Sequence, residues 1–376
     1  MTPNRTEIFH DPADIRETWL ALERSGIHTP YQRFEFVAAW LRNVGQAEGA
    51  TAAIAVMRDL AGEALAIFPF CTTSLGPLRL LRFVGGKHSN FNMGLFSSEA
   101  PAVLHADMLR ETLRAAGIAT GAHLAVLESQ PRSWEGFANP LAALANHESA
   151  EPAYKMSLSG DFEALIADRV SKDARGKLRR KERRLSEFGA ISYRRAQTAA
   201  EVNAGLDAFF SQKTARFLQL GQPDVFAEPG VRAFITEASL AGLEHGAAAI
   251  QLYLCVAGER IVATYGAAID EKRFCGMFTS FDNAEDMFRW SPGDLLLFNL
   301  VRIMHEKGFS TFDLGVGEAK YKESYCDQIE PLFDTIMPLS AIGGPAALAY
   351  RCALAAKARI KQSPRLLAAI NKLRSR

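Results

Sequence analysis

No run of eighteen consecutive apolar residues occurs anywhere in the 376-residue chain, so no segment has the length that crosses a bilayer as a helix. Net charge is also missing. Lys and Arg total 43 against 42 Asp and Glu, which leaves +1 at pH 7, so any affinity for a polyanion must come from a local patch. Cysteine is scarce and odd in number: Cys71, Cys255, Cys275, Cys326 and Cys352 make five, with no CxxC spacing. That excludes a disulfide framework and a zinc ribbon, and points to reduced core thiols. The eight histidines show no HExxH or other metal-ligand spacing, so no metal is expected. The first seven residues, MTPNRTE, lead into mixed charged sequence without the apolar core of a secretory leader, and the expected location is the cytoplasm.

Three nucleotide or nucleophile signatures are absent as well. No GxSxG elbow is present. Gly85-Gly86-Lys87-His88 lacks the upstream glycine of a P-loop and the Ser or Thr after its lysine. Gly315-Val316-Gly317 follows an expected strand, but Lys320 stands where a dinucleotide fingerprint needs its third glycine.

What the chain has is apolar mass: 48% of its residues are hydrophobic and 23% are charged, enough to build two ordinary domains. The second half reads clearly. A short strand at 189–195 precedes helices at 199–219 and 229–245, broken by Gly221-Gln222-Pro223. Alternation then predicts three strands at 250–256, 261–269 and 273–281, joined by tight turns into an antiparallel meander. A helix follows at 292–307, with Ser291 as N-cap, Pro292 at its first position and Asp294 closing a capping box. A strand at 310–316, a short helix at 318–326 and a strand at 331–339 complete this half. The first half repeats the order faintly: helices at 11–24 and 31–44, strands at 51–58, 64–72 and 78–84, a helix at 102–117, a strand at 122–127, a helix at 133–146 and a strand at 153–158. The expected architecture is a mixed α/β fold of two tandem domains, 1–158 and 159–345, with a basic amphipathic helical tail at 346–376.

The segment 290–297 (WSPGDLLL), the block 311–318 (TFDLGVGE) with Tyr321-Lys322, and the basic entry Arg179-Arg180-Lys181-Glu182-Arg183-Arg184-Leu185 with Phe188-Gly189 together resemble one family. It is the GNAT-type acetyltransferase group linked to bacterial cellulose and exopolysaccharide biosynthesis, similar in layout to Fem-type aminoacyltransferases. The match covers roughly 155–340 and is faint in the first half, where Tyr31-Gln32-Arg33-Phe34 and the stretch near Gly85 to Leu95 carry it. It implies two GNAT-like domains, acetyl-CoA or another acyl-CoA as co-substrate, and direct attack of an acceptor amine on the thioester. It also implies a saccharide acceptor. The Fem-like alternative takes aminoacyl-tRNA and a peptidoglycan precursor, the one reading that brings in nucleic acid. A further alternative is a non-catalytic regulator that senses a nucleotide.

The residues admit paired readings. Ser291, Pro292 and Gly293 open a helix whose unpaired N–H groups suit a pyrophosphate, or simply cap it well. Gly315 and Gly317 leave room for a pantetheine-like chain. Asp313 is either the base that takes the acceptor proton or a salt-bridge partner. Tyr321 as acid and Lys322 as cation form the other catalytic candidates, against a plain surface helix for both. His88, Asn90 and Asn92, in a polar loop, and Arg216 are the candidate acceptor contacts. The arginine-rich segment 171–185 is either a solvated helix or a wall for phosphates. In the tail, Lys and Arg alternate with aliphatics and Pro364 divides two short amphipathic pieces; these suit an anionic membrane surface, an anionic nucleotide regulator, or packing on the protein itself.

Overall fold

The computed structural model describes residues 5–362. Its first half contains β1 (Arg5–Phe9), α1 (Arg16–Ser25), α2 (Phe34–Trp40), β2 (Thr51–Arg58), β3 (Ala64–Leu75), β4 (Leu78–Phe83), α3 (Ala106–Thr120) and β5 (Leu124–Pro131). After β6 (Ala153–Ser157) come α4 (Lys172–Leu185), β7 (Ile191–Arg195), α5 (Ala199–Leu220), α6 (Val231–Leu240), β8 (Gln251–Ala257), β9 (Arg260–Ile269) and β10 (Arg273–Phe281). The chain ends through α7 (Pro292–Glu306), β11 (Thr311–Val316), α8 (Lys320–Tyr325), β12 (Leu332–Pro338) and α9 (Gly343–Gln362).

These elements form two mixed sheets. The first runs β1-β2-β3-β4-β5-β12 with His147–Glu148 at its edge, and the second runs β7-β8-β9-β10-β11-β6 with Gln328–Glu330 at its edge. Sequence order and sheet membership part at two strands. β6, at the end of the first half, pairs antiparallel with β11, and β12, at the end of the second half, pairs antiparallel with β5. Both strands are almost continuously buried, so each fits the interior side of a sheet and neither suits an open edge. The two halves therefore exchange their last strands.

Each sheet contains one parallel pair that opens. β10 and β11 keep register only from Arg273↔Thr311 to Cys275↔Asp313, and β4 and β5 only at Leu80↔Leu124 and Leu81↔Ala125. Beyond those contacts the strands diverge toward their C-terminal ends, which leaves a cleft with open backbone groups in each half. The repeat of element order is thus a repeat of geometry, and the fold is a tandem pair of GNAT-like α/β units.

Apolar periodicity explains most elements. In α7, Leu296, Leu300, Val301 and Met304 are fully buried and join Phe274 and Phe312 in one core. One expectation fails: 133–146 is not a helix. Ser133–Trp134 and Phe137–Ala138 form a hairpin whose turn places Glu135 and Gly136 at φ +47° and +84°, and Pro140 then opens a single 3-10 turn capped by Asn139. Gly136 and Pro140 outweigh the local helical pattern. In the tail, α9 lays Ala347 on Leu80, Leu124, Val126 and Ile336 of the first sheet. Arg351 donates to the Ile336 carbonyl at 2.9 Å. The amphipathic piece beyond Pro364 lies outside the described residues.

Candidate functional site

The start of α7 differs from an ordinary cap. Ser291 sits at φ +48° and its hydroxyl does not bond back to the helix, so the expected capping box does not form. The left-handed backbone turns the side chain toward α4, where Ser291 Oγ accepts from Lys181 Nζ at 2.6 Å. The Asp294 N–H bonds to the Ser291 carbonyl instead, at 3.0 Å. Gly293 follows, with a notional Cβ only 3.2 Å from Phe281. Lysine, hydroxyl and glycine amide thus converge at a helix N-terminus beside the opening of β10 and β11. On α4, Lys172, Arg179, Arg180 and Arg183 line a shallow open face around Gly176.

Asp313 lies at the last paired position of that opening and is fully buried. Its Oδ2 accepts from Arg273 at 2.5 and 3.2 Å, and its Oδ1 accepts the Gly315 N–H at 2.5 Å. Arg273 is itself 2% exposed, also reaches Glu330 at 2.8 Å, and lies 4.0 Å from the Trp134 ring centre and 4.8 Å from that of Phe91. Burial pushes the Asp313 carboxyl upward and Arg273 pulls it back. With both oxygens engaged and its side chain fully buried, Asp313 fixes the backbone where β11 ends.

Lys322 is not on an exposed face. It is 6% exposed and donates to the carbonyls of Gly315 and Val316 at 3.0 and 2.9 Å. Burial lowers its pKa. Gly315 and Gly317 take φ +78° and +93°, and side chains there would collide with Asn90 and Glu151 respectively. Tyr321, on the same short helix, keeps 42% of its surface exposed, and partial burial raises its phenol pKa. A protonated hydroxyl and a braced strand end therefore stand together.

The first half completes the site. Asn90 Nδ2 donates to the Gly276 carbonyl on β10 at 2.8 Å and to Tyr31 Oη at 2.8 Å, beside Gly315 on β11. It ties β10 to Tyr31 of the first half while lying against Gly315 of β11. His88, Asn90 and Asn92 line a cavity of about 900 Å³ that reaches from the open end of β4 and β5 to Val316. Trp40 Nε1–H donates to His88 Nδ1 at 3.1 Å. Burial lowers the His88 pKa to about 4. Arg216 lies on α5, partly exposed, and does not border this cavity. Arg273, Glu330 and Lys181 were not singled out by sequence. Only the shared basic run hinted at Lys181, and nothing around Arg273 marks a buried ion pair.

Two sheets with splayed strands, a basic helix docked on a glycine-led helix start and a braced strand end define the class by its fold: a tandem GNAT-like α/β protein. Residues 172–323 match the family model of the acetyltransferase (GNAT) domain. No curated protein matches the chain. Among solved structures, the C-terminal domain of a putative lysylphosphatidylglycerol synthetase from Agrobacterium fabrum is 14% identical, with a TM-score of 0.52 over 91% of this chain and 95% of that one. FemX is 11% identical, with a TM-score of 0.55 over 83% and 97%. L-PGS from Bacillus licheniformis is 12% identical, with a TM-score of 0.53 over 90% and 96%. At these identities the likeness is one of fold, and it extends across both halves.

Proposed function

We propose that the protein is an acetyl-CoA-dependent N-acyltransferase that acts in the cytoplasm on an amino sugar of a cell-surface polysaccharide or its precursor. The observation that carries the donor half is the docking of Lys181 on Ser291 beside Gly293, at the mouth of the β10–β11 opening. A pyrophosphate there meets an amide, a cation and the positive end of a fifteen-residue helix. The acyl chain then runs along the divergent strands toward Gly315. The acceptor amine attacks the thioester carbonyl carbon, the C–N bond forms and the C–S bond breaks. Tyr321 gives its proton to the leaving thiolate, and the surplus amine proton passes to solvent in the cavity. Asp313 and Lys322 hold the Gly315–Val316 backbone in place, so their contribution is positioning. The acceptor class rests on the motif resemblance, supported by the polar lining at His88, Asn90 and Asn92.

The second reading is transfer from an aminoacyl-tRNA. It is favoured by the cationic face of α4 around Gly176. Phosphate neutralisation there predicts binding that falls steeply with salt. A thermal-shift series separates the two. Acetyl-CoA at a hundredfold excess over its Kd should stabilise the fold by about 2.7 kcal/mol. Gly293→Glu, which sets a carboxylate against the pyrophosphate, should abolish that shift, while the close approach to Phe281 lowers the unliganded melting temperature without unfolding the protein. Unchanged acetyl-CoA binding in a folded Gly293→Glu protein would remove the assignment of the donor site.

A further inference from the structure

The cavity at the open end of β4 and β5 contains polar groups that the protein does not satisfy. Asn92 is 3% exposed; its amide donates to the Glu128 carbonyl at 3.0 Å, but its Oδ1 has no partner. Ser89 is 7% exposed and its Oγ is likewise unpartnered. Buried oxygens of this kind cost about 1–3 kcal/mol each when left unmatched. Both border the same cavity. Arg82 points to the same need. It stands opposite Cys71 in the first sheet and its Nε is buried without a partner. Among the described residues no carboxylate lies within ion-pair distance of it, whereas Lys87, the other lining cation, is paired with Glu228.

The cavity wall is also held in an uncommon backbone state. Ser129 takes φ +56°, and its N–H is fixed by Asp334 at 2.9 Å. Such strain persists where the surroundings over-determine it, and it clusters at ligand sites. The lining carries charge of both signs: Arg82 and Lys87 against the carboxylates of Glu48, Glu128 and Asp334, with Glu151 and Glu318 beside the end of β11. A volume near 900 Å³ holds a mono- or disaccharide.

We infer that this cavity binds the acyl acceptor and that the acceptor carries an anionic group, a carboxylate or phosphate, in addition to its amine. This rests on the proposed N-acyl transfer. The anion pairs with Arg82, whose guanidinium suits an oxyanion with two parallel bonds. Sugar hydroxyls donate to Asn92 Oδ1 and Ser89 Oγ. The amine points toward Val316 and the acidic wall, the side on which an acyl chain in the β10–β11 opening ends.

Calorimetric titration of the full chain tests this with five probes: glucosamine, glucosamine 6-phosphate, 2-amino-2-deoxyglucuronic acid, glucose 6-phosphate and inorganic phosphate. At least one of the two anionic amino sugars should bind tenfold or more tightly than glucosamine, and which one does so separates phosphate from carboxylate. Arg82→Gln should erase that advantage, leave glucosamine within twofold and leave the acetyl-CoA thermal shift intact. Arg82→Lys, which keeps a cation and serves if the glutamine variant does not fold, should retain part of it. Asn92→Ala should weaken all the amino sugars alike. Equal affinity for charged and uncharged amino sugars, or an undiminished preference in folded Arg82 variants, overturns the inference. Inorganic phosphate binding as tightly as the anionic amino sugars overturns it too. Arg82-dependent amino-sugar binding without any acetyl-CoA effect would uphold the cavity and remove the CoA reading; the converse would do the opposite.

Discussion

Replacing Arg273 with methionine would leave Asp313 buried, charged and uncompensated, with Glu330 losing the same partner. Removing one member of a buried pair costs about 3–5 kcal/mol, and Arg273→Met should lower stability in urea by that amount. The double variant Arg273→Met/Asp313→Asn should recover part of the loss, because the stranded charge is gone. A single-variant effect under 1 kcal/mol would mean that Asp313 is not ionised in the fold. His88 supplies a pH dependence of known sign. Its folded pKa, near 4, lies below the ordinary histidine value because burial disfavours the cation, and Nδ1 already accepts from Trp40. The unfolded chain therefore binds more protons between pH 6.5 and 4. Stability is complete above that window and falls as pH drops through it, by up to about 3 kcal/mol. His88→Gln keeps an acceptor for Trp40 without titrating, so its stability should be flatter over the same range; parallel pH curves for both proteins would assign the acid loss to other groups.

At the scale of elements, strands and helices with a strong period were legible. The meander, α7 and β11 fall within a residue or two of their expected positions, because Leu296, Leu300 and Met304 mark one helical face and the alternation in β8 marks one sheet face. Punctuation was harder to weigh. Gly136 and Pro140 turned a helix-like stretch into a hairpin and a single turn, and Ser291 gave up its cap for Lys181. Sequence spacing cannot report that choice, since the competing partner sits 110 residues away. The same limit hides the ion pair of Arg273 and Asp313, 40 residues apart. Asp313, Tyr321 and Lys322 were legible as a group, but which of them touches solvent depends on burial. Asp313 and Lys322 turn inward to hold the strand end, and Tyr321 stays open. His88, Asn90 and Asn92 stood out as a polar loop, and their convergence on one cavity needed the first half to dock on the second.

At the scale of the whole molecule, the exchanged strands tie the two halves together and predict that they unfold as one unit. The chain leaves the second sheet at Gln328–Glu330 and enters the first at Leu332, with a single residue between them. Glu330 grips Arg273 in the second half, and three residues later Phe333, fully buried, joins a core that spans both halves, from Phe68 and Phe91 to Phe209 and Leu252. Loosening β12 thus pulls on the ion pair that sets the end of β11. Phe333→Ala removes a buried aromatic and should cost about 3–5 kcal/mol. Hydrogen exchange at low denaturant then distinguishes a shared fate from a local one. If the sheets unfold together, amides of β9 and β10 should lose protection in step with those of β2 and β3, although no atom of the second sheet was changed. The same variant should also lose acetyl-CoA stabilisation at a lower denaturant concentration, because the donor opening depends on β11. Full protection of β9 and β10 in Phe333→Ala, alongside exchange in β2 and β3, would instead make the halves independent units joined by a passive crossover.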